Sequence, residues 1–243
     1  MAGTTPEGHA IPPATEGAFL SRTFKVGKEQ YPYQIYLPAG DAANGKRPVI
    51  LFLHGSGERG SDGQRQTEIG LGPAIRSDHA RFPFIVVFPQ CPEALTWLDP
   101  RMEALALGAL DETVREYGGD KERLYLTGVS MGGVGAWQLA ARYPEKFAAI
   151  VPVSGRSPLR GISKDPEGEI ARRIGKIPVW AFHGSEDQQV SVEGTRRIVA
   201  ALRQSGNNVN YTEYAGVGHN SWDRAYAEPE LVAWLLSHKI KRL

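Results

Sequence analysis

Residues 123–141 read Arg123-Leu-Tyr-Leu-Thr-Gly128-Val-Ser130-Met-Gly132-Gly-Val-Gly-Ala-Trp-Gln-Leu-Ala-Ala141. The opening is a short apolar run of strand character, and the close carries apolar residues at helical spacing. The chain therefore passes from a strand through a sharp turn into a helix. A serine at the tip of such a turn takes a strained backbone conformation, and the residues two before and two after it are forced together. Both must be glycine or nearly so, and Gly128 and Gly132 meet that demand. The pentapeptide is a weak signal by itself; the strand before it and the helix after it make Ser130 a candidate nucleophile.

Outward from that turn, eight β-rich runs are found at 19–26, 33–37, 49–53, 84–88, 124–127, 149–153, 179–182 and 209–214. From the third onward they are separated by stretches long enough for crossover helices, at about 67–77, 102–117, 131–142, 166–173, 191–204 and 230–239. Such alternation predicts a mostly parallel sheet of about eight strands with helices on both faces. The first two runs, with a turn signal at 27–30, are expected to form an antiparallel hairpin at the sheet edge. Residues 1–18, rich in Gly, Pro and Thr, read as a flexible N-terminal tail, and 19–243 as a single domain.

The 243 residues, 41% of them hydrophobic, suffice for one large α/β domain. A net charge of +1 with acids and bases interspersed argues against nucleic acid as a partner. No apolar stretch approaches a membrane span. Cys91 is the only cysteine, which excludes an internal disulfide and a thiolate metal cage. The tail lacks the apolar core of a signal peptide, so the expectation is a cytoplasmic protein if the chain is whole, and a secreted or periplasmic one if a leader has been trimmed. Oligomeric state is left open.

A serine hydroxyl attacks only when a base removes its proton, and the base must be oriented by a carboxylate. In a fold where the serine follows a central strand, the partners come later in the order acid, then histidine. Of the six histidines, His183, His219 and His238 lie downstream of Ser130. His238 falls in an apolar-periodic terminal segment, and His183 precedes any plausible acid. His219, in Gly216-Val-Gly-His219-Asn-Ser, sits in a loop after the last strand and is taken as the base. The loop after the seventh strand, His183-Gly-Ser-Glu186-Asp187-Gln-Gln-Val190, offers two acids pointing in alternate directions. Asp187 is preferred, with Glu186 as a solvated charge.

A tetrahedral intermediate needs backbone N–H donors where its charge develops. The N–H of Met131, at the start of the helix after Ser130, supplies one. The loop after the third strand, Leu53-His-Gly-Ser-Gly57, supplies the other, assigned to Ser56. His54 in that loop is read as structural. The same loop contains Gly55-Ser-Gly57-Glu-Arg-Gly60, a match to the dinucleotide fingerprint. No helix opens at these glycines, and no acid ends the next strand to hold a ribose, so a nucleotide site is set aside. H-E-x-x-H and phosphate-loop motifs are also missing from the sequence. Trp97 and Trp222 are candidates to line a substrate cleft.

Taken together, Leu53-His-Gly-Ser-Gly57, Phe88-Pro-Gln-Cys-Pro92 with Trp97-Leu-Asp99, Gly128-Val-Ser-Met-Gly-Gly133, His183-Gly-Ser-Glu-Asp187 with Val190, and Gly218-His219 occur in one order along 48–222. In these motifs the chain resembles an α/β-hydrolase of the small phospholipase/carboxylesterase type, related to dienelactone-hydrolase-like and polyhydroxybutyrate-depolymerase-like esterases. The resemblance implies the α/β-hydrolase fold and a triad of Ser130, Asp187 and His219. It likewise implies oxyanion donors at Ser56 and Met131, and no cofactor or metal. Met131 stands where the acyl-protein thioesterase branch tends to have glutamine, and the Gly57-Glu-Arg-Gly60 extension is more similar to a branch of predicted esterases and peptidases.

The expected activity is that of a serine carboxylesterase acting on small-molecule esters with short acyl or aryl groups. A feruloyl-type esterase and a prolyl-oligopeptidase-like peptidase are the enzymatic alternatives, although such peptidases usually carry a gating domain for which this chain has no room. A binding module on a hydrolase scaffold is the alternative outside enzymes. The stretch between Val153 and Pro178, where lipid-active relatives insert a lid, is too short for a substantial one, so an open cleft is expected.

Overall fold

A computed structural model describes residues 17–40, 45–159 and 161–240. The tail expected at 1–18 lies outside these residues except for Gly17 and Ala18. Eight strands form one sheet: β1 (Ala18–Val26), β2 (Glu29–Leu37), β3 (Arg47–Leu53), β4 (Ile85–Pro89), β5 (Gly119–Val129), β6 (Ala149–Val153), β7 (Val179–Gly184) and β8 (Val209–Tyr214). Their order is β1-β2-β4-β3-β5-β6-β7-β8. β2 is antiparallel to both β1 and β4, and β3 through β8 are mutually parallel. The fold is the α/β-hydrolase fold. The β1–β2 hairpin turns through Gly27, whose φ of 63° is one that glycine adopts without a side-chain penalty.

Alternation along the strands divides the apolar residues between two cores. On β3, Val49, Leu51 and Leu53 face one side, while Ile50 and Phe52 face the other. The first side is covered by α2 (Pro100–Glu116), α3 (Met131–Arg142), α4 (Pro166–Ile174) and α5 (Val192–Gln204), which contribute Leu105, Trp137, Ile170 and Ile198 to it. The second is covered by α1 (Leu71–Ser77), α6 (Trp222–Ala227) and α7 (Leu231–Leu236) through Leu71, Tyr226 and Leu231. Central strands covered on both faces have no solvated side, which is why their sequences are almost continuously apolar.

The structure departs from the sequence expectation at three places. The helix expected from 67 starts at Leu71, because residues 65–67 make a single tight turn and Gly70, at φ 60°, breaks the path between them. The terminal helix stops at Leu236 rather than 239. Helix α6 was not anticipated: six residues are too few to display a helical period.

The connection from β3 returns to β4 on one side, whereas β5 lies on the other. This reversal leaves a crevice at the carboxyl ends of β3 and β5, the place where open α/β sheets bind ligands. The two strands pair in parallel with Leu53 opposite Gly128, so the loop after β3 and the turn after β5 emerge side by side. Between β6 and β7 the described residues hold one helix, α4, packed on α3 and α5. No large lid insertion is present among the described residues.

Candidate active site

Ser130 lies between β5 and α3 with φ 53° and ψ −113°, a conformation that side-chain-bearing residues rarely adopt. Its N–H is tied to the Val153 carbonyl at 2.9 Å. The glycines around it are required sterically: a Cβ on Gly132 would run into the Leu53 carbonyl, and one on Gly128 into the carbonyl of Gly132. A Cβ on Gly133 would press on the Val153 carbonyl at 2.6 Å. The turn is held by backbone packed against backbone.

His219 reaches Ser130 from the loop after β8. Its Nδ1–H donates to Asp187 Oδ2 at 2.7 Å, and its Nε2 lies 2.9 Å from Ser130 Oγ, placed to accept the hydroxyl proton. The Asp187 side chain is fully buried, and its other oxygen accepts the Gln189 and Val190 N–H groups, each at 2.9 Å. Burial pushes the Asp187 carboxyl up, but the hydrogen bonds from His219, Val190 and Gln189 outweigh it and hold the group below its ordinary value. Glu186 points to solvent. The structure thus brings Ser130, His219 and Asp187 into one hydrogen-bonded line and leaves Glu186 out.

The Ser56 N–H opens a single helical turn, Ser56–Glu58, and the Met131 N–H opens α3. Among the described residues neither donates a hydrogen bond to the protein. Both are therefore free to receive an oxyanion. The Ser56 carbonyl is held by Arg59 Nε at 3.0 Å, and Arg59 also reaches the Glu93 carbonyl at 2.7 Å. His54 locks the same loop from below: Nδ1–H donates to the Gly55 carbonyl at 2.6 Å, and Nε2 accepts the Cys91 N–H at 2.9 Å. Burial pulls the His54 imidazole down to about 4, so it stays neutral.

The two tryptophans separate. Trp222 stands edge-on to His219, ring centroids 5.3 Å apart. Trp97 does not line a cleft as expected. It is 2% exposed, donates to the His54 carbonyl at 2.9 Å, and covers Gly135 of α3, where its indole is core packing that supports the Ser56 loop.

Ser154, Ser221 and His183, none of them assigned to the site from the sequence, take part in it. Ser154, a second non-glycine residue at positive φ (47°), places its hydroxyl 3.1 Å from the His219 carbonyl and 2.8 Å from Ser221 Oγ, steadying the histidine loop. His183, read as off the site because it precedes the acid, lies 3.1 Å from the same Asp187 oxygen that receives His219. Its position four residues before Asp187, at the end of a strand, was the available signal. Among the described residues no group of three His, Cys, Asp or Glu side chains could hold a metal ion. No helix among them is long and apolar enough to cross a membrane.

With this geometry in view, the profile of the phospholipase/carboxylesterase family matches residues 106–228, just over half of the chain and including Ser130, Asp187 and His219. The chain belongs to the phospholipase/carboxylesterase family. Within the α/β-hydrolase superfamily, it is 28% identical over 256 residues to feruloyl esterase B of Thermothelomyces thermophilus, covering 88% of this chain and 85% of that protein. It is 28% identical over 183 residues to NocK of Nocardia uniformis subsp. tsuyamanensis, covering 72% of this chain and 50% of NocK. A crystal structure of a thermostable esterase superposes with a TM-score of 0.79 at 31% identity, covering 91% of this chain and 63% of that one. The family member described here thus spans half the length of NocK and somewhat under two thirds of the thermostable esterase.

Proposed function

We propose that the chain is a serine carboxylesterase that hydrolyses short-acyl or aryl carboxylic esters through an acyl-enzyme at Ser130. The observation that carries this reading is the line Ser130 Oγ–His219–Asp187, with separations of 2.9 and 2.7 Å. Ser130 Oγ forms a bond to the ester carbonyl carbon as His219 Nε2 takes its proton, and the oxyanion settles on the Ser56 and Met131 N–H groups. Collapse of the tetrahedral species breaks the bond to the alcohol oxygen, which leaves with the proton from His219. A water molecule then gives its proton to His219, attacks the acyl carbon and frees the acid, returning the proton to Ser130. Only neutral imidazole can act as the base, so kcat/KM rises with pH through one ionisation.

The absence of a large lid insertion among the described residues supports a preference for soluble substrates, with no jump in rate when the substrate passes its solubility limit. Similarity to feruloyl esterase B over 88% of the chain favours a second reading, a hydroxycinnamoyl acyl group. A panel of p-nitrophenyl acetate, butyrate and decanoate with methyl ferulate tests both. The short-acyl reading requires acetate or butyrate to give the highest kcat/KM; a maximum at decanoate overturns it, and a maximum at methyl ferulate selects the second. Failure of a fluorophosphonate probe to label Ser130 would favour a binding module over any hydrolase.

A further inference from the structure

His183 is completely buried, yet it is not a passive core residue. Its Nε2 faces two acceptors, the Val190 carbonyl at 2.9 Å and Asp187 Oδ2 at 3.1 Å. Two acceptors on one ring nitrogen require that nitrogen to carry the hydrogen, so the tautomer is Nε2–H. On the opposite side Nδ1 lies 2.8 Å from Thr195 Oγ1 of α5, which also lies 2.8 Å from the Gly155 carbonyl. Thr195 Oγ1 thus has one hydrogen and two acceptors, the Gly155 carbonyl to which it donates and the unprotonated Nδ1 of a neutral His183 which it also faces. Burial holds the imidazole below its ordinary value and keeps it neutral, against smaller opposing effects of the Val190 carbonyl and Asp187. The consequence is a continuous chain, Thr195–His183–Asp187–His219–Ser130, in which one carboxylate oxygen, Asp187 Oδ2, serves both histidines.

We propose that His183 is a positioning residue that fixes the Asp187 carboxylate through Nε2–H and shares its charge, and so sets the pH at which His219 becomes a base. The proposal rests on the serine-hydrolase reading for its meaning in catalysis, but the coupling between the two histidines is a property of the folded protein. A carboxylate oxygen that already accepts one N–H has less charge to offer a second, so His183 weakens the hold of Asp187 on the protonated form of His219. Removal of the donor strengthens that hold and moves the His219 titration to higher pH.

The other charged groups near the pair lie on β8, α5 and α6. Glu213, opposite His183 in the β7–β8 register, is bound by Arg196 and by the Tyr211 hydroxyl, and Arg196 also binds Glu193. On the His219 side, the neighbouring carboxylate Asp223 of α6 is bound by Asn220. None of these contacts involves Nε2 of His183, so a substitution there leaves them in place.

The test compares the full chain with H183L, which removes the donor, and H183Q, whose amide can return an N–H to the same oxygen. Histidine titrations are followed by NMR, with the His219 signal assigned by its loss in His219→Gln. The His219 midpoint should rise by about half a pH unit in H183L, a fraction of the effect of one charge-assisted hydrogen bond, and return toward the parent value in H183Q. Equal midpoints in the three folded proteins would overturn the proposal. If H183L does not fold, the wild-type protein decides: nitrogen-15 shifts must place the His183 hydrogen on Nε2, and an Nδ1–H tautomer refutes the assignment. Aryl-ester hydrolysis measured in parallel judges the esterase reading separately, because the NMR midpoint does not depend on turnover.

Discussion

The two halves of the candidate site are held by different forces. The turn carrying Ser130 is fixed by main chain against main chain: Gly132 against Leu53, Gly128 against Gly132, and Gly133 against Val153. The half carrying Asp187 and His219 is fixed by side-chain hydrogen bonds drawn from β7, α5 and the loops after β6 and β8, with His183, Thr195, Ser154 and Ser221 as the ties. Close backbone approach tolerates almost no substitution and leaves a local signature in the sequence. A hydrogen-bonded arm can be assembled from residues far apart in the chain.

If the division is correct, substitutions in the first half that spare the backbone should abolish chemistry without disturbing the fold. Ser130→Ala removes only the Oγ that meets His219, and the half-buried side chain adds little to packing. An activity loss of about 10⁴ to 10⁶ in kcat with an unchanged unfolding transition is expected. Ester hydrolysis within tenfold of the parent would remove Ser130 from the reaction. In the second half, Asp187→Asn should cost about 10⁴ in kcat, because the amide favours the wrong tautomer of His219, whereas Glu186→Gln should be nearly silent, since Glu186 faces solvent. The opposite ranking, measured as kcat/KM on one aryl ester, would hand the acid role to Glu186.

The same division governs how much of the site is legible in the sequence. The central strands and their parallel pairing follow from runs such as Val49–Leu53 and Ala149–Val153, because a strand covered on both faces has nowhere to place polar residues, whereas the partly exposed edge strands β1 and β8 are marked by their β-branched and aromatic residues. The elbow was legible because its steric demand falls on the residues that make it. His219 and Asp187 were legible through their places after the last strands. His183 was not, because its role depends on a bond four residues ahead across a loop and on a threonine of α5. Ser154 escaped for a related reason: nothing in a serine after a buried strand announces a positive φ. Trp97 was misplaced because an aromatic beside a candidate loop reads equally as wall or as support, and only the fit against Gly135 and His54 separates them.

Stability should reveal the contrast as well. Gly132→Ala adds one carbon where the Leu53 carbonyl already stands, so β3 and β5 must separate or the turn must open. We expect a loss of about 3 kcal/mol or more in urea unfolding, at the upper end of what overpacking costs. A loss under about 1 kcal/mol would show that the backbone gives way easily, and the steric account of the elbow would fail.

The smallest expected effect concerns the one histidine that supports the backbone-held half. His54 is fully buried, bonded through both nitrogens, and lowered by burial to about 4. An unfolded histidine titrates near 6.5. Between those two values the unfolded chain binds a proton that the native protein refuses, so stability falls as pH drops through 6.5 and stops falling from this source near 4. Between pH 7 and pH 5 the contribution is about 2 kcal/mol. His183 and His238, also lowered by burial, act in the same direction. Urea unfolding of the parent and of His54→Gln at both pH values isolates the effect. The variant is less stable at either pH because it loses hydrogen bonds, but its difference between pH 7 and pH 5 should be smaller than the parent's. The difference between pH values is the decisive quantity, since it cancels the packing cost of the substitution and leaves only the proton that His54 excludes. An equal difference in the two proteins would mean that His54 accepts its proton in the folded state, and that the loop bearing Ser56 is held more loosely than its backbone partner at Ser130.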